Sequence, residues 1–334
     1  MTRRPPRRTS PRRGLVTVVV VVTALALTGC TGVTYEETPL PAPATTSTPP
    51  APTGTPVTCT NATQSYDPLP SLPASSSITD GSVRAILERG HLTVGVSADT
   101  YLFGARDPFT NRIEGFDIDI ARAVAQSLLG SASKVRFRVI TAADRIEVLQ
   151  KREVDMVARN MTMTCARWED IAFSSEYYHS GQKLLVAKDP SGAVPDTTIE
   201  DLKGKRVCAP RGTSTLEKLR SVKGVEAVPA TDHTGCLVLF QQGQADAITG
   251  DDTVLAGLAA QDPYTVVSSA PAITDEPYGL GFNQADVYLV RYVNRVLADL
   301  KADGRWKATY NTWLADTLGP APAPPLGVHG RARP

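Results

Sequence analysis

Short apolar runs of strand length alternate along this chain with longer segments whose apolar residues recur at helical spacing, and this alternation most limits what the chain can fold into. Residues 92–96 (Leu-Thr-Val-Gly-Val) fit a buried parallel strand. After a loop come Gly115-Phe116-Asp117, then Ile120, Ala121, Val124, Ala125 and Leu128 on one helical face, with Asp117 placed to cap that helix. A strand over 134–140, a helix over 142–151 and a strand over 155–157 follow. The pattern restarts at Val207-Cys208-Ala209, with a helix from Thr213, a helix over 235–242 and a strand over 246–249. An amphipathic helix carrying Val290, Val293, Leu297 and Leu300 completes it. Such alternation predicts an α/β fold with parallel sheets, and 334 residues suffice for two lobes of similar construction. With 42% hydrophobic and 21% charged residues the chain can bury a core, which excludes global disorder.

The N-terminus reads as an address. Six arginines (Arg3, Arg4, Arg7, Arg8, Arg12, Arg13) precede a 13-residue apolar run, 15–27, and then Leu27-Thr28-Gly29-Cys30. A basic start, a short apolar stretch and small residues at the cut describe a secretory signal over 1–29. The run is too short for a spanning helix, which needs about 20 apolar residues. Leu-Thr-Gly-Cys resembles a bacterial lipobox, so Cys30 is the expected lipidated N-terminus, held at the outer face of the cytoplasmic membrane. Residues 30–79 carry Pro39, Pro41, Pro43, Pro49, Pro50, Pro52 and Pro56 among Thr, Ala and Ser, and read as an extended tether. The proline cluster from Gly319 to Pro325 ends the fold, and 319–334 is expected to be disordered.

Charge and cysteine content narrow the function classes. Without the first 29 residues, 29 basic side chains face 34 acidic ones, a net charge of −5. A mildly acidic body does not suit nucleic acid. No C-x-x-C occurs and His91, His179, His233 and His329 are far apart, so no metal or other cofactor is expected. The four remaining cysteines suggest disulfides in an exported chain. Three connectivities are possible; Cys208–Cys236 within one lobe and Cys59–Cys165 pinning the tether to the other is the favoured one.

Seven stretches stand in an order that resembles a known family: Leu92-Thr-Val-Gly-Val, Gly115-Phe-Asp-Ile-Asp, Asp144-Arg-Ile-Glu-Val-Leu-Gln, Val154-Asp-Met-Val, Thr162-Met-Thr-Cys-Ala-Arg167, Phe173-Ser-Ser-Glu-Tyr-Tyr and Gly204-Lys-Arg-Val-Cys-Ala-Pro-Arg-Gly-Thr. They resemble the polar amino-acid-binding proteins of family 3 of the solute-binding proteins of ABC importers, over about residues 80–318. With the lipobox and the cysteine pairs, the chain resembles the actinobacterial glutamine/glutamate-binding lipoproteins. The resemblance implies a two-lobed periplasmic-binding-protein fold of type II, a monomer with two hinge strands near 182–186 and 275–280. Residues 80–186 and 275–318 would form one lobe and 187–274 the inserted other.

A zwitterion taken out of water must have both charges paired. The resemblance puts its α-carboxylate on Arg167, whose planar fork a lysine does not reproduce, with Asn160 and Thr162 beside it. It puts the α-ammonium on Asp251, five residues after Asp246. In the inserted lobe, Gly212, Thr213 and Ser214 open a helix, where free N–H groups favour a carboxylate. Tyr101 is the aromatic expected over the aliphatic part of the ligand, with Phe103 as the alternative. Arg145 stands where acidic-amino-acid binders of the family carry an arginine for the side-chain carboxylate, and Arg159 and Arg211 flank site segments. This favours glutamate or aspartate over glutamine, delivered to an ABC permease.

Two other outputs fit the same fold. Ligand closure could signal to a membrane sensor, with glutamine or asparagine as ligand. Some relatives are enzymes of the cyclohexadienyl dehydratase type, for which Glu176 and His179 are the nameable acid–base groups. The cleft segments supply arginines and hydroxyls rather than a free acid or base, so no enzymatic activity is expected.

Overall fold

A computed structural model describes residues 57–332. The signal segment, Cys30 and the tether up to residue 56 lie outside the described residues.

Two sheets carry the two lobes. The first has the strand order Val135–Val139, Leu92–Val96, Met156–Ala158, Gly281–Asn283, Ile171–Phe173. Leu92–Val96 pairs in parallel with both neighbours, whereas Gly281–Asn283 enters antiparallel. The second has the order Glu226–Ala230, Arg206–Pro210, Ala247–Asp251, Tyr178–Ala187, Thr265–Val267. Its first three strands are parallel, and Tyr178–Ala187 crosses over from the first lobe to join antiparallel. Neither sheet is therefore wholly parallel as the alternation predicted: each takes in one antiparallel strand, Tyr178–Ala187 on the outgoing connection and Gly281–Asn283 just after the returning one. Tyr178–Ala187 is also paired over its first residues with Asp275–Tyr278, the returning strand. These two adjacent strands are the connection between lobes.

A single large apolar cluster fills the first lobe, with Phe103, Phe116, Tyr177, Tyr278 and Trp306 fully buried. The second lobe has two smaller clusters, one around Leu216 and Leu219, the other around Leu255 and the buried Cys208–Cys236 bond. Cys59–Cys165 also forms, with a Cα–Cα distance of 5.7 Å.

Three expectations are corrected. Asp117 does not cap the helix Phe116–Leu129; Gly115 holds that position. Gly115 has φ of 141°, and a Cβ there would lie 2.3 Å from the Phe103 carbonyl oxygen, so only glycine fits. Asp117 is instead buried beneath the cleft, accepting from the Asn160 N–H at 2.9 Å and the Tyr177 hydroxyl at 2.7 Å. Burial pushes its carboxyl up to about 6.

Residues 319–332 are not a loose tail, and the tether does not stay extended to residue 79. Gln64 and Val328 pair in parallel, Ser65 N–H donates to the Val328 carbonyl at 2.8 Å, and Tyr66 and Leu69 enter the first lobe's core. Proline-rich composition disfavours helix but leaves extended backbone free to pair, and here one bridge, the burial of Tyr66 and Leu69 and the Lys301 bond to the Pro325 carbonyl hold the two segments.

Candidate functional site

Where the lobes meet, the first lobe contributes the turn after Met156–Ala158 and the start of the helix Arg145–Gln150. These bring Arg145, Arg159, Asn160 and Thr162 to one small cavity. The second lobe answers with Thr213, Ser214 and Thr215 at the start of the helix Ser214–Ser221, His233 at the start of His233–Gln241, and Asp251 at the end of Ala247–Asp251. Thr213 is the N-cap, accepting from the Leu216 N–H at 3.1 Å, so its hydroxyl serves its own helix.

Arg167 stands just behind this cavity, on the helix Cys165–Asp170. Its guanidinium donates to the Thr162 carbonyl at 2.6 Å and across the cleft to the Gly212 carbonyl at 3.1 Å. Arg145 donates to that same Gly212 oxygen at 2.8 Å, and to the Arg159 and Asn160 carbonyls. Two forks from one lobe thus converge on a single oxygen of the other.

Six of the nine expected ligand residues line the cavity: Arg145, Asn160, Thr162, Thr213, Ser214 and Asp251. Arg167 and Gly212 are one contact away. Tyr101 is not brought in. It is 46% exposed and sits against the second-lobe helix Asp252–Ala259, where a Cβ on Gly257 would meet its carbonyl at 2.9 Å. Phe103 does not replace it, being buried among Phe116, Tyr178 and Tyr278. The positive φ of Leu102 (76°) turns the chain here and separates the two rings. Arg211 does not line the cavity either, nor do Glu176 and His179. Those two are bonded to each other at 2.7 Å by the hinge, with His179 half exposed.

Sequence reasoning missed Glu276. It is 2% exposed on the returning hinge strand and accepts from the hydroxyls of Thr162 (2.5 Å), Ser214 (2.7 Å) and Thr274 (2.7 Å). One carboxylate therefore ties both lobes to the hinge. The available signal was an acid beside an apolar hinge stretch, Glu276-Pro277-Tyr278. His233 was also overlooked as a site group; its Nε2 is buried without a hydrogen-bond partner, as is Asn160 Oδ1.

The electrostatics follow from burial. Desolvation lowers the Arg145 pKa, and Arg167 and Arg159 lower it further by repulsion. Desolvation and then Arg159 take His233 down to about 4, so it is neutral at pH 7. Asp251 is pushed up to about 7 by burial and then by the Glu276 charge, with a hydrogen bond from Tyr278 opposing. Between its ordinary value of 3.8 and about 7, the folded chain holds a proton there that the unfolded chain releases. This group's contribution to stability therefore falls as pH rises through that window. An ammonium ion placed against Asp251 reverses the preference and favours the ionised form. On the expectation that Asp251 receives the ligand's ammonium, affinity should rise about tenfold between pH 6 and 8. Asp251→Asn should weaken binding by about 2–5 kcal/mol while leaving thermal stability at pH 8 equal or higher. Calorimetry and thermal melts check both; an affinity that survives the substitution would remove Asp251 from the site.

Two hinged lobes that bring opposed charges and hydroxyls face to face, with a cavity of about 10 Å³ left between them, are the arrangement of a protein that closes around a small polar solute. Residues 92–316 match the bacterial extracellular solute-binding proteins, family 3, and the chain belongs to that family. It is 33% identical over 246 residues to the ABC transporter glutamine-binding protein of Bacillus subtilis, covering 73% of this chain and 88% of that one. It is 31% identical over 255 residues to the glutamate-binding protein of Corynebacterium glutamicum, covering 73% and 83%. The solved L-cysteine solute receptor of Neisseria gonorrhoeae superposes with a TM-score of 0.67 at 28% identity, covering 71% of this chain and 95% of the other. The fold is that of type II binding proteins, and the chain is a solute-binding protein rather than an enzyme.

Proposed function

We propose that the chain is a lipid-anchored receptor, held through Cys30, that closes on L-glutamate or L-aspartate and presents it to an ABC permease. The observation that carries the choice of ligand is the charge of the pocket. Arg167 has Glu217 and Glu276 nearby as counter-charges and Arg159 has Asp99 at 3.8 Å, whereas Arg145 lines the pocket hydrogen-bonded to carbonyls alone, and His233 is neutral. A buried guanidinium with no carboxylate bonded to it suits a ligand that brings a second carboxylate better than one that brings a neutral amide.

In this reading Arg167 receives the α-carboxylate, in competition with the Gly212 carbonyl, and Asp251 receives the ammonium. Arg145, Arg159 and the unpartnered His233 Nε2 face the second carboxylate. In the tautomer that carries its proton on Nε2, His233 is a buried donor without a partner, which costs about 1–3 kcal/mol, so a ligand carboxylate that pairs it gains affinity. Closure is a population shift, driven by contacts that exist only when both lobes meet.

The name of the Bacillus subtilis relative favours glutamine as a second reading. Titrating the protein with glutamate, aspartate, glutamine and asparagine should rank the acidic pair first by at least tenfold, about 1.4 kcal/mol. Glutamine binding tightest would overturn the assignment.

A further inference from the structure

The helix Cys165–Asp170 that presents Arg167 has six residues, and a helix so short has little stability of its own. Arg167 lies between two residues of that helix that are fastened elsewhere. Cys165 is bonded to Cys59. Trp168 donates its indole N–H to the Ala62 carbonyl at 2.7 Å, and the Arg331 guanidinium lies 3.7 Å from its ring centroid. Tyr66 meets the same ring edge-on at 6.0 Å. Arg331 also donates to the Gln64 carbonyl at 2.6 Å, so both ends of the described chain grip one tryptophan. Cys59, Tyr66 and Arg331 all lie outside residues 92–316, the region matched to the family.

We propose that residues 59–66 and 326–331 form a strap that positions Arg167: by holding Cys165 and Trp168, it sets the direction in which the guanidinium enters the cleft. The proposal rests on the reading that Arg167 receives the ligand's α-carboxylate. Recognition groups must be held within about 0.5 Å and 10–20° to act fully. A long arginine side chain magnifies any tilt of the short helix that bears it.

The strap has its own attachment to the lobe. Ser65 donates to the Phe173 carbonyl at 2.8 Å, and Asn294 donates to Ser65 and to the Tyr66 carbonyl. Releasing Arg331 or the Cys59–Cys165 bond therefore loosens the helix while the strap's centre stays bound and the fold persists.

The test uses the full chain, purified in detergent, as wild type, as Arg331→Gln, as Cys59→Ser with Cys165→Ser, and each of these with and without Arg167→Ala. The probes are glutamate and its α-amide, isoglutamine, which keeps the ammonium and the side-chain carboxylate. Both strap variants should bind glutamate about 3- to 30-fold more weakly, yet bind isoglutamine within about twofold of wild type. In the Arg167→Ala background they should cause no further loss. Equal losses for both probes, persistent losses without Arg167, or no loss at all would each overturn the strap's role. Unchanged glutamate affinity in Arg167→Ala alone would instead overturn the reading beneath it, and the proposal with it.

Discussion

Arg167→Ala should weaken glutamate binding by about 2–5 kcal/mol, roughly 30- to 4,000-fold, with the fold intact by circular dichroism. The magnitude follows from what is left behind. A ligand carboxylate enclosed without its partner keeps the desolvation cost and loses the compensating attraction. Arg167→Lys should recover little of the loss, because an ammonium has no planar fork with which to hold the carboxylate while still donating to the Thr162 carbonyl. Calorimetry at low salt measures both. Wild-type affinity in Arg167→Ala would place the α-carboxylate elsewhere.

Gly212→Ala should be nearly as damaging for a different reason. Gly212 has φ of 73°, and a Cβ there would lie 2.6 Å from Ala143 Cα and 3.0 Å from Ala143 N, both in the opposite lobe. The clash is with backbone and exists only when the lobes are together. In the open form the substitution costs about 1 kcal/mol of backbone strain. In the closed form overpacking adds about 1–3 kcal/mol, so affinity should fall about 5- to 150-fold. The expected signature is weak binding with little change in melting temperature, and small-angle scattering that stays open at glutamate concentrations that close the wild type. Full affinity with normal closure would show that the Gly212 contact is not needed for the bound state.

The elements were legible because their signals are local. Leu92-Thr-Val-Gly-Val and the helix bearing Ile120, Val124 and Leu128 show their period within a dozen residues, and the observed strand Leu92–Val96 and helix Phe116–Leu129 follow it. The parts that misled depend on distant chain. Asp117 looks like a cap in sequence, but the close approach of Gly115 to Phe103 makes the turn, and the carboxyl is spent beneath Asn160. Glu276 acquires its place only when Thr162, Ser214 and Thr274 converge on it from two lobes and a hinge. Tyr101 and Phe103 are two residues apart, and one positive φ at Leu102 decides that neither ring reaches the cavity. The proline-rich ends read as tether and tail because composition reports what a segment cannot form alone. It does not report that Trp168 and Cys165 wait to receive it.

The proposed function requires Arg167 and Asp251 to receive opposite ends of one amino acid. A crystal structure of the chain grown with L-glutamate tests this most directly. It should show the lobes shut, the α-carboxylate within hydrogen-bond distance of Arg167 and the α-ammonium against Asp251. Glutamate seated with Arg167 and Asp251 both turned to bulk water would contradict it.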